Sequence, residues 1–226
     1  MRKSLLLCFL HFLLLSSALP QWSGDPTVNT SVCTATNQQY TSAITSDGSG
    51  GAIITWYDNR NGLASDIYAQ RISSAGINQW TADGVAISTA AETQTGPKIV
   101  SDGSGGAIIT WYDFRNGTDN DIYAQKINAS GSVQWTADGA AISTATDEQS
   151  SPQIISDGAG GAIIVWGDYR SGVDNDIYAQ RINSAGVPQW TANGVVISGA
   201  SGNQSSPCIV SDGSGGAIIA WADDRS

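Results

Sequence analysis

Histidine, glutamate and lysine are almost missing from this sequence. Its 226 residues include one histidine, His11, two glutamates, Glu92 and Glu148, and three lysines, Lys3, Lys98 and Lys126. His11 falls inside an N-terminal leader, so the mature chain has no imidazole for a Ser-His-Asp relay or for metal ligation. Paired carboxylates can cleave glycosidic bonds, but here the aspartates recur at a fixed period and the only glutamates are those two. Ten basic residues against twenty acids give a net charge of −10, which argues against nucleic acid and anionic membrane surfaces as partners. A helical period of apolar residues is also absent. The one long apolar run, Leu5 to Leu15, falls short of the roughly 20 residues that a membrane span needs.

That run belongs to a secretory signal. Arg2 and Lys3 form its basic end, and Ser16-Ser17-Ala18 supply small residues for cleavage after Ala18. Residues 1–18 are therefore expected to be removed and the protein to be secreted or held at the cell surface, with no membrane insertion after cleavage. Loss of Arg2 and Lys3 takes the net charge from −10 to −12. Two of the three cysteines, Cys33 and Cys208, then remain. Export permits a disulfide between them, but neither recurs at equivalent positions, which also fits two independent substitutions.

What is abundant is repetition. Ser46 to Asp58 reads SDGSGGAIITWYD, and the stretch returns at Ser101, Ser156 and Ser211, each time 55 residues on. A fixed period of this size signals a repeat architecture. In the second copy, Pro97–Ser101, Ala107–Asp113, Asp121–Ile127, and Val133–Trp135 continued by Gly139–Ser143 read as four strands. Gly-rich turns and polar loops separate them, giving an antiparallel meander. Ile108 and Ile109 are adjacent and so point to opposite faces, and both are Ile in every copy. A sheet apolar on both faces needs a neighbour on each side. The expected fold is all-β: a β-propeller-like array of four-stranded antiparallel blades. The recurrent Trp56, Trp111, Trp166 and Trp221, with Trp80, Trp135 and Trp190, would fill the wedges between blades.

The ends fit this scheme. Thr30–Ala35 aligns with Val85–Ala90 and predicts a fourth, outer strand ahead of the first blade. Residues 19–45 then hold the closing outer strand and the first inner strand, and residues 46–226 hold the blades. Ser226 is equivalent to Asn61, Asn116 and Ser171. The expectation is three complete blades and a truncated fourth that is incomplete at the C-terminus, its own further blades lying beyond the sequence.

The loop after each second strand varies most, and binding residues concentrate on loops over a rigid scaffold. Tyr57, Asp58, Arg60, Tyr112, Asp113, Arg115, Asp168 and Arg170 are the candidate ligand face. Asp and Arg recur in every copy, which suits a structural tie within each blade as well as a ligand contact. Asp119-Asn120-Asp121 and Asp174-Asn175-Asp176 could offer oxygen ligands to Ca²⁺, though the spacing is not that of an EF-hand. No other cofactor is expected.

The signatures SDGSGGAIITWYD, DIYAQRI and QWTADGVAIS resemble the tandem repeats of a family of large exported bacterial proteins. Those are regarded as β-propellers that often end in a type IX secretion sorting domain. The resemblance covers residues 21–226 and implies an extracellular or cell-surface setting. With no catalytic set in view, the sequence predicts a protein that is not an enzyme. It would act as a binding or adhesion scaffold for extracellular glycan or protein. The alternative is the propeller part of a secreted glycan-active enzyme whose catalytic residues lie in missing C-terminal sequence.

Overall fold

The computed structural model describes residues 25, 27–62 and 64–225. The proposed signal, residues 1–18, lies outside them. Among the described residues fourteen strands form four sheets in chain order. The first blade holds β1 (Gln39–Ser46), β2 (Ala52–Asp58), β3 (Asp66–Ile72) and β4 (Val85–Ser88). The second holds β5 (Gln94–Ser101), β6 (Ala107–Asp113), β7 (Asp121–Ile127) and β8 (Ala140–Ser143). The third holds β9 (Gln149–Ser156), β10 (Ala162–Asp168), β11 (Asp176–Ile182) and β12 (Val195–Ser198). A last pair, β13 (Gln204–Ser211) and β14 (Ala217–Asp223), forms a two-stranded sheet among the described residues. Every neighbouring pair is antiparallel, and the register repeats: Ala52 faces Ile72, Ala107 faces Ile127 and Ala162 faces Ile182.

The turn between the first two strands is held by its aspartate. Asp47 Oδ1 accepts from the Ser49 and Gly51 amides, both at 2.8 Å. Gly48 and Gly50 sit at φ 73° and 85°, where a side chain would be strained. Its second oxygen pairs with Arg71 at 2.9 Å. Burial would push this carboxyl up, but the Ser49 amide, Arg71 and the Gly51 amide outweigh it and hold the pKa low.

Blades pack face to face, as the paired isoleucines require. Ile53, Ile67 and Trp80 of the first blade meet Ile109, Trp111 and Ile127 of the second. Ile108, Ile122 and Trp135 of the second meet Ile164, Trp166 and Ile182 of the third. Val165, Ile177 and Ala179 then meet Ile209, Ile219 and Trp221. First strands lie against one another along the arc, β1 on β5, β5 on β9 and β9 on β13, which places them on the inner side. The result is a β-propeller-like array of blades, and Trp80, Trp111, Trp135, Trp166 and Trp221 occupy the wedges between them.

Three local features depart from the sequence reading. The first strand of the second blade begins at Gln94, not Pro97, because a register shift between Thr95 and Lys98 carries the strand past the proline. The bulged residue takes positive φ in every copy: Thr41 42°, Gly96 61°, Ser151 55° and Ser206 53°. Val133 makes only an isolated bridge to Ile127, since the Trp135 amide donates to the Gln125 side chain instead of a strand partner. Residues 30–35, expected as an outer strand, form no strand. Cys33 and Cys208 are free thiols, as two independent substitutions would leave them.

Candidate functional site

The end of the second strand in each four-stranded blade carries a four-residue knot. In the second blade Asp113 is fully buried. Its carboxylate accepts from Trp111 Nε1 at 2.8 Å, from the Arg115 amide at 3.0 Å and from Arg115 Nε at 2.7 Å, and it pairs with Arg115 Nη2. The Arg115 guanidinium lies over the Tyr123 ring at 3.7 Å and donates to the Asp138 carbonyl at 2.7 Å. Asp58 with Arg60, and Asp168 with Arg170, repeat the arrangement with salt bridges of 2.6 Å. Burial alone would raise the Asp58 pKa, but the hydrogen bonds from Arg60 and Trp56 overcome it and hold the carboxyl below its ordinary value. Burial works against the charge of Arg115 and Arg170, and the paired aspartates still raise both pKa values.

Six of the sequence-derived candidates, Asp58, Arg60, Asp113, Arg115, Asp168 and Arg170, thus lie inside these ties. Their hydrogen bonds go mainly to their own blade and to the loop before its fourth strand, with Arg60 and Arg170 also reaching Cys33 and Ser143 on the preceding side.

A second row of acids lies across from them, Asp66, Asp121 and Asp176 facing Asp58, Asp113 and Asp168. Burial, then Asp119, then Asp113 push the Asp121 pKa up to about 6. Asn116 donates to Asp119 at 2.6 Å and to Asp121 at 3.1 Å. Among the described residues no three His, Cys, Asp or Glu side chains group to hold a metal ion. The raised pKa carries a stability consequence. Between the unfolded value of about 3.9 and the folded value of about 6, the fold keeps a proton that the unfolded chain has lost, so stability falls as pH rises through that window. Asp121→Asn is expected to be more stable than the parent by about 1–2 kcal/mol at pH 7.5, after discount for solvent screening, and equal to it below about pH 4. Urea denaturation at both pH values checks this, and an equal offset at the two would refute it.

Tyr57 and Tyr112 behave differently. Tyr57 stacks on Tyr40 across the strand pair, centroids 5.2 Å apart. Tyr112 packs over Gly96, where a Cβ would come within 2.3 Å of the ring, and its hydroxyl accepts from the Ser151 amide of the next blade at 2.8 Å. The same position is Gly167 and Ala222 in the later sheets. Phe114 and Tyr169 stand in the adjoining loops. Every described aromatic that is not kept through the repeats, Tyr40, Tyr57, Tyr112, Phe114 and Tyr169, therefore lies at one end of the blades. Tyr40 is not among the residues the sequence singles out, since its place opposite Tyr57 depends on the register beyond the bulge.

No family model matches the chain, and no curated protein matches it. The class is nevertheless defined by the structure: a β-propeller-like repeat protein. Among solved structures, the endo-arabinase from Bacteroides thetaiotaomicron VPI-5482 is similar in fold, with a TM-score of 0.52 and 13% sequence identity. The match covers 85% of this chain and 73% of that one. It corrects one expectation. The sequence predicted a protein that is not an enzyme, yet the architecture found here is one on which an enzyme is built, so the repeat fold gives no ground for excluding catalysis.

Proposed function

We propose that these blades are the carbohydrate-engaging propeller of an exported, glycan-active enzyme. The observation that carries this reading is that the non-repeating aromatics, Tyr40, Tyr57 and Tyr112 among them, all lie at one end of an otherwise uniform frame. A structural role demands the same residue in every blade, as for Trp56, Trp111 and Trp166, whereas a single ligand site demands residues in one place. Aromatic rings present an apolar face with a polar edge, suited to the C–H faces and hydroxyls of a sugar. The fold likeness to an endo-arabinase supports a glycan as the ligand class. The inner strands β1, β5, β9 and β13 contain no Asp or Glu, and Asp58, Asp113 and Asp168 beside the aromatics are tied to arginine. The acid and base of a hydrolase would therefore come from outside these inner strands. The leader sequence and the resemblance of the repeats to exported tandem-repeat proteins support action outside the cell.

Calorimetric titration with arabinan and a panel of other soluble polysaccharides tests this. Binding to at least one is expected, with Tyr57→Ala and Tyr112→Ala each weakening it about tenfold, the scale of a lost stacking contact of 1–1.5 kcal/mol. Val187→Ala, in the exposed turn after β11 at the other end of the blades, should leave it unchanged. Absence of binding across the panel, or equal binding by both tyrosine variants, would reject the reading.

A further inference from the structure

The aromatic end of the blades also carries the unevenly placed charge. Glu92, Asp119, Asp147, Glu148 and Asp174 are not kept through the repeats, and all five stand in second-to-third loops or blade-to-blade connectors. The equivalent of Asp119 in the first blade is Ala64, and Asn37-Gln38 stands before β1 where Asp147-Glu148 stands before β9. The positive charges of this end are neutralised, since Arg60, Arg115 and Arg170 are each held by the aspartate two residues before. The described lysines lie elsewhere, Lys98 opposite Thr110 midway along β5 and Lys126 beside Asp102 in the turn at the other end.

Acids and aromatics come together at the junction of the second and third blades. Glu148 accepts from Asn120 Nδ2 at 2.8 Å and from the Asn120 amide at 3.3 Å, which draws it to the loop that bears Asp119. The Glu148 carbonyl receives the Tyr169 amide at 2.8 Å, and the Tyr112 hydroxyl receives the Ser151 amide at 2.8 Å. The two tyrosines thus flank the connector that carries Asp147 and Glu148. Neither acid is in a salt bridge among the described residues. Gln149, fully buried beneath them, donates to the Asp147 carbonyl at 2.7 Å and leaves its own Oε1 without a hydrogen-bond partner. The junction therefore offers acceptors without matching donors. The same crowding acts on the acids below: burial first and Asp119 second push the Asp121 pKa up to about 6, and burial and then Asp174 raise that of Asp176.

Given the glycan reading above, on which this rests, we propose that the aromatic end selects a glycan bearing protonated amines, a polymer of amino sugar, and rejects glycans bearing carboxylate or sulfate groups. Aromatic rings stack on the C–H face of a sugar whatever its charge, so the acids around them decide which glycan is held. Ammonium groups are drawn to the unpaired carboxylates and supply the donors that the acceptors lack. An anionic chain meets a surface of its own sign with no available cation to receive it.

Calorimetric titration with equally linked oligomers of glucosamine, N-acetylglucosamine and glucuronic acid tests this. At about pH 5.5 exposed carboxylates are ionised and the sugar amines protonated. At about 20 mM salt the glucosamine oligomer is expected to bind about tenfold tighter than the N-acetylated one, the scale of two or three exposed ion pairs. The uronic acid oligomer should not bind measurably. At about 0.5 M salt the advantage should fall below about twofold. Asp147→Asn combined with Glu148→Gln should cut it to about threefold at low salt. That pair copies Asn37 and Gln38, and Asn37 already takes φ 65° where Asp147 takes 64°, so the connector keeps its shape. Equal or tighter binding of the N-acetylated or uronic acid oligomer overturns the proposal, as does an advantage that salt or the double variant leaves intact. Binding of arabinan or another polysaccharide with none of the glucosamine oligomer also overturns it and leaves the glycan reading standing. No binding to any glycan removes that reading and the charge selection with it.

Discussion

Asp168→Ala is expected to destabilise the protein by about 3–5 kcal/mol, the scale for stranding a buried charge. Asp168 is fully buried and accepts from Trp166 Nε1 at 2.7 Å, from the Arg170 amide at 3.0 Å and from Arg170 Nε at 2.8 Å. Removing the carboxylate leaves the indole N–H without its acceptor and the guanidinium without its counter-charge. Arg170 cannot simply swing into water, because it lies over the Tyr178 ring at 3.8 Å and donates to the Asn193 carbonyl at 2.7 Å. It also reaches Ser143 in the preceding blade at 3.4 Å, so the loss spreads to the junction. Adding Arg170→Met to Asp168→Ala should recover part of the deficit, since an apolar side chain over Tyr178 leaves no orphaned cation. Urea denaturation followed by circular dichroism gives the full double-mutant cycle. A single-variant cost below about 1 kcal/mol would mean that the pair behaves like an exposed surface salt bridge.

This knot shows where sequence reading succeeds and where it stops. The recurrence of Asp113 and Arg115 was visible, and so was the choice between a structural tie and a ligand contact. The remaining partners were not. Trp111 Nε1 reaches Asp113 because residues two apart on a strand share a face, and Tyr123 lies under the guanidinium because β7 pairs directly opposite Trp111. Both follow from register, which a repeat period does not specify. The apolar core was more legible. Adjacent isoleucines at 108 and 109 must face opposite ways, and the two junctions that bury them follow from that geometry. The bulge in each inner strand was hidden, since nothing in Gln94-Thr95-Gly96-Pro97 distinguishes a strand with a kink from a turn before a strand. The non-repeating aromatics are half visible for the same reason: Tyr57 stands beside the most variable loop, while Tyr40 joins it only through pairing across that bulge.

The wedge tryptophans allow the packing account to be tested inside one molecule. Trp135 and Trp190 occupy the same place in successive repeats, and the amide of each donates to a glutamine side chain of its own blade at 2.9 Å. They differ in what covers them. Trp135 is 9% exposed; its Nε1 donates to the Ser184 carbonyl at 3.1 Å, and its ring lies where a Cβ on Gly186 would come within 2.6 Å. Trp190 is 38% exposed, because among the described residues the last sheet has no third strand and no following turn to lie over it. Trp135→Ala should therefore cost about 3–5 kcal/mol, from lost burial and the cavity left between two blades. Trp190→Ala should cost less than about 1.5 kcal/mol, since a side chain still partly in water has less transfer free energy to lose. Denaturation curves of the two variants, read by far-UV circular dichroism so that loss of an indole does not distort the signal, measure the difference. Equal costs would place the contribution of this tryptophan within its own blade. A gap of about 2 kcal/mol or more would place it in the junction, and with it the source of cohesion along the arc.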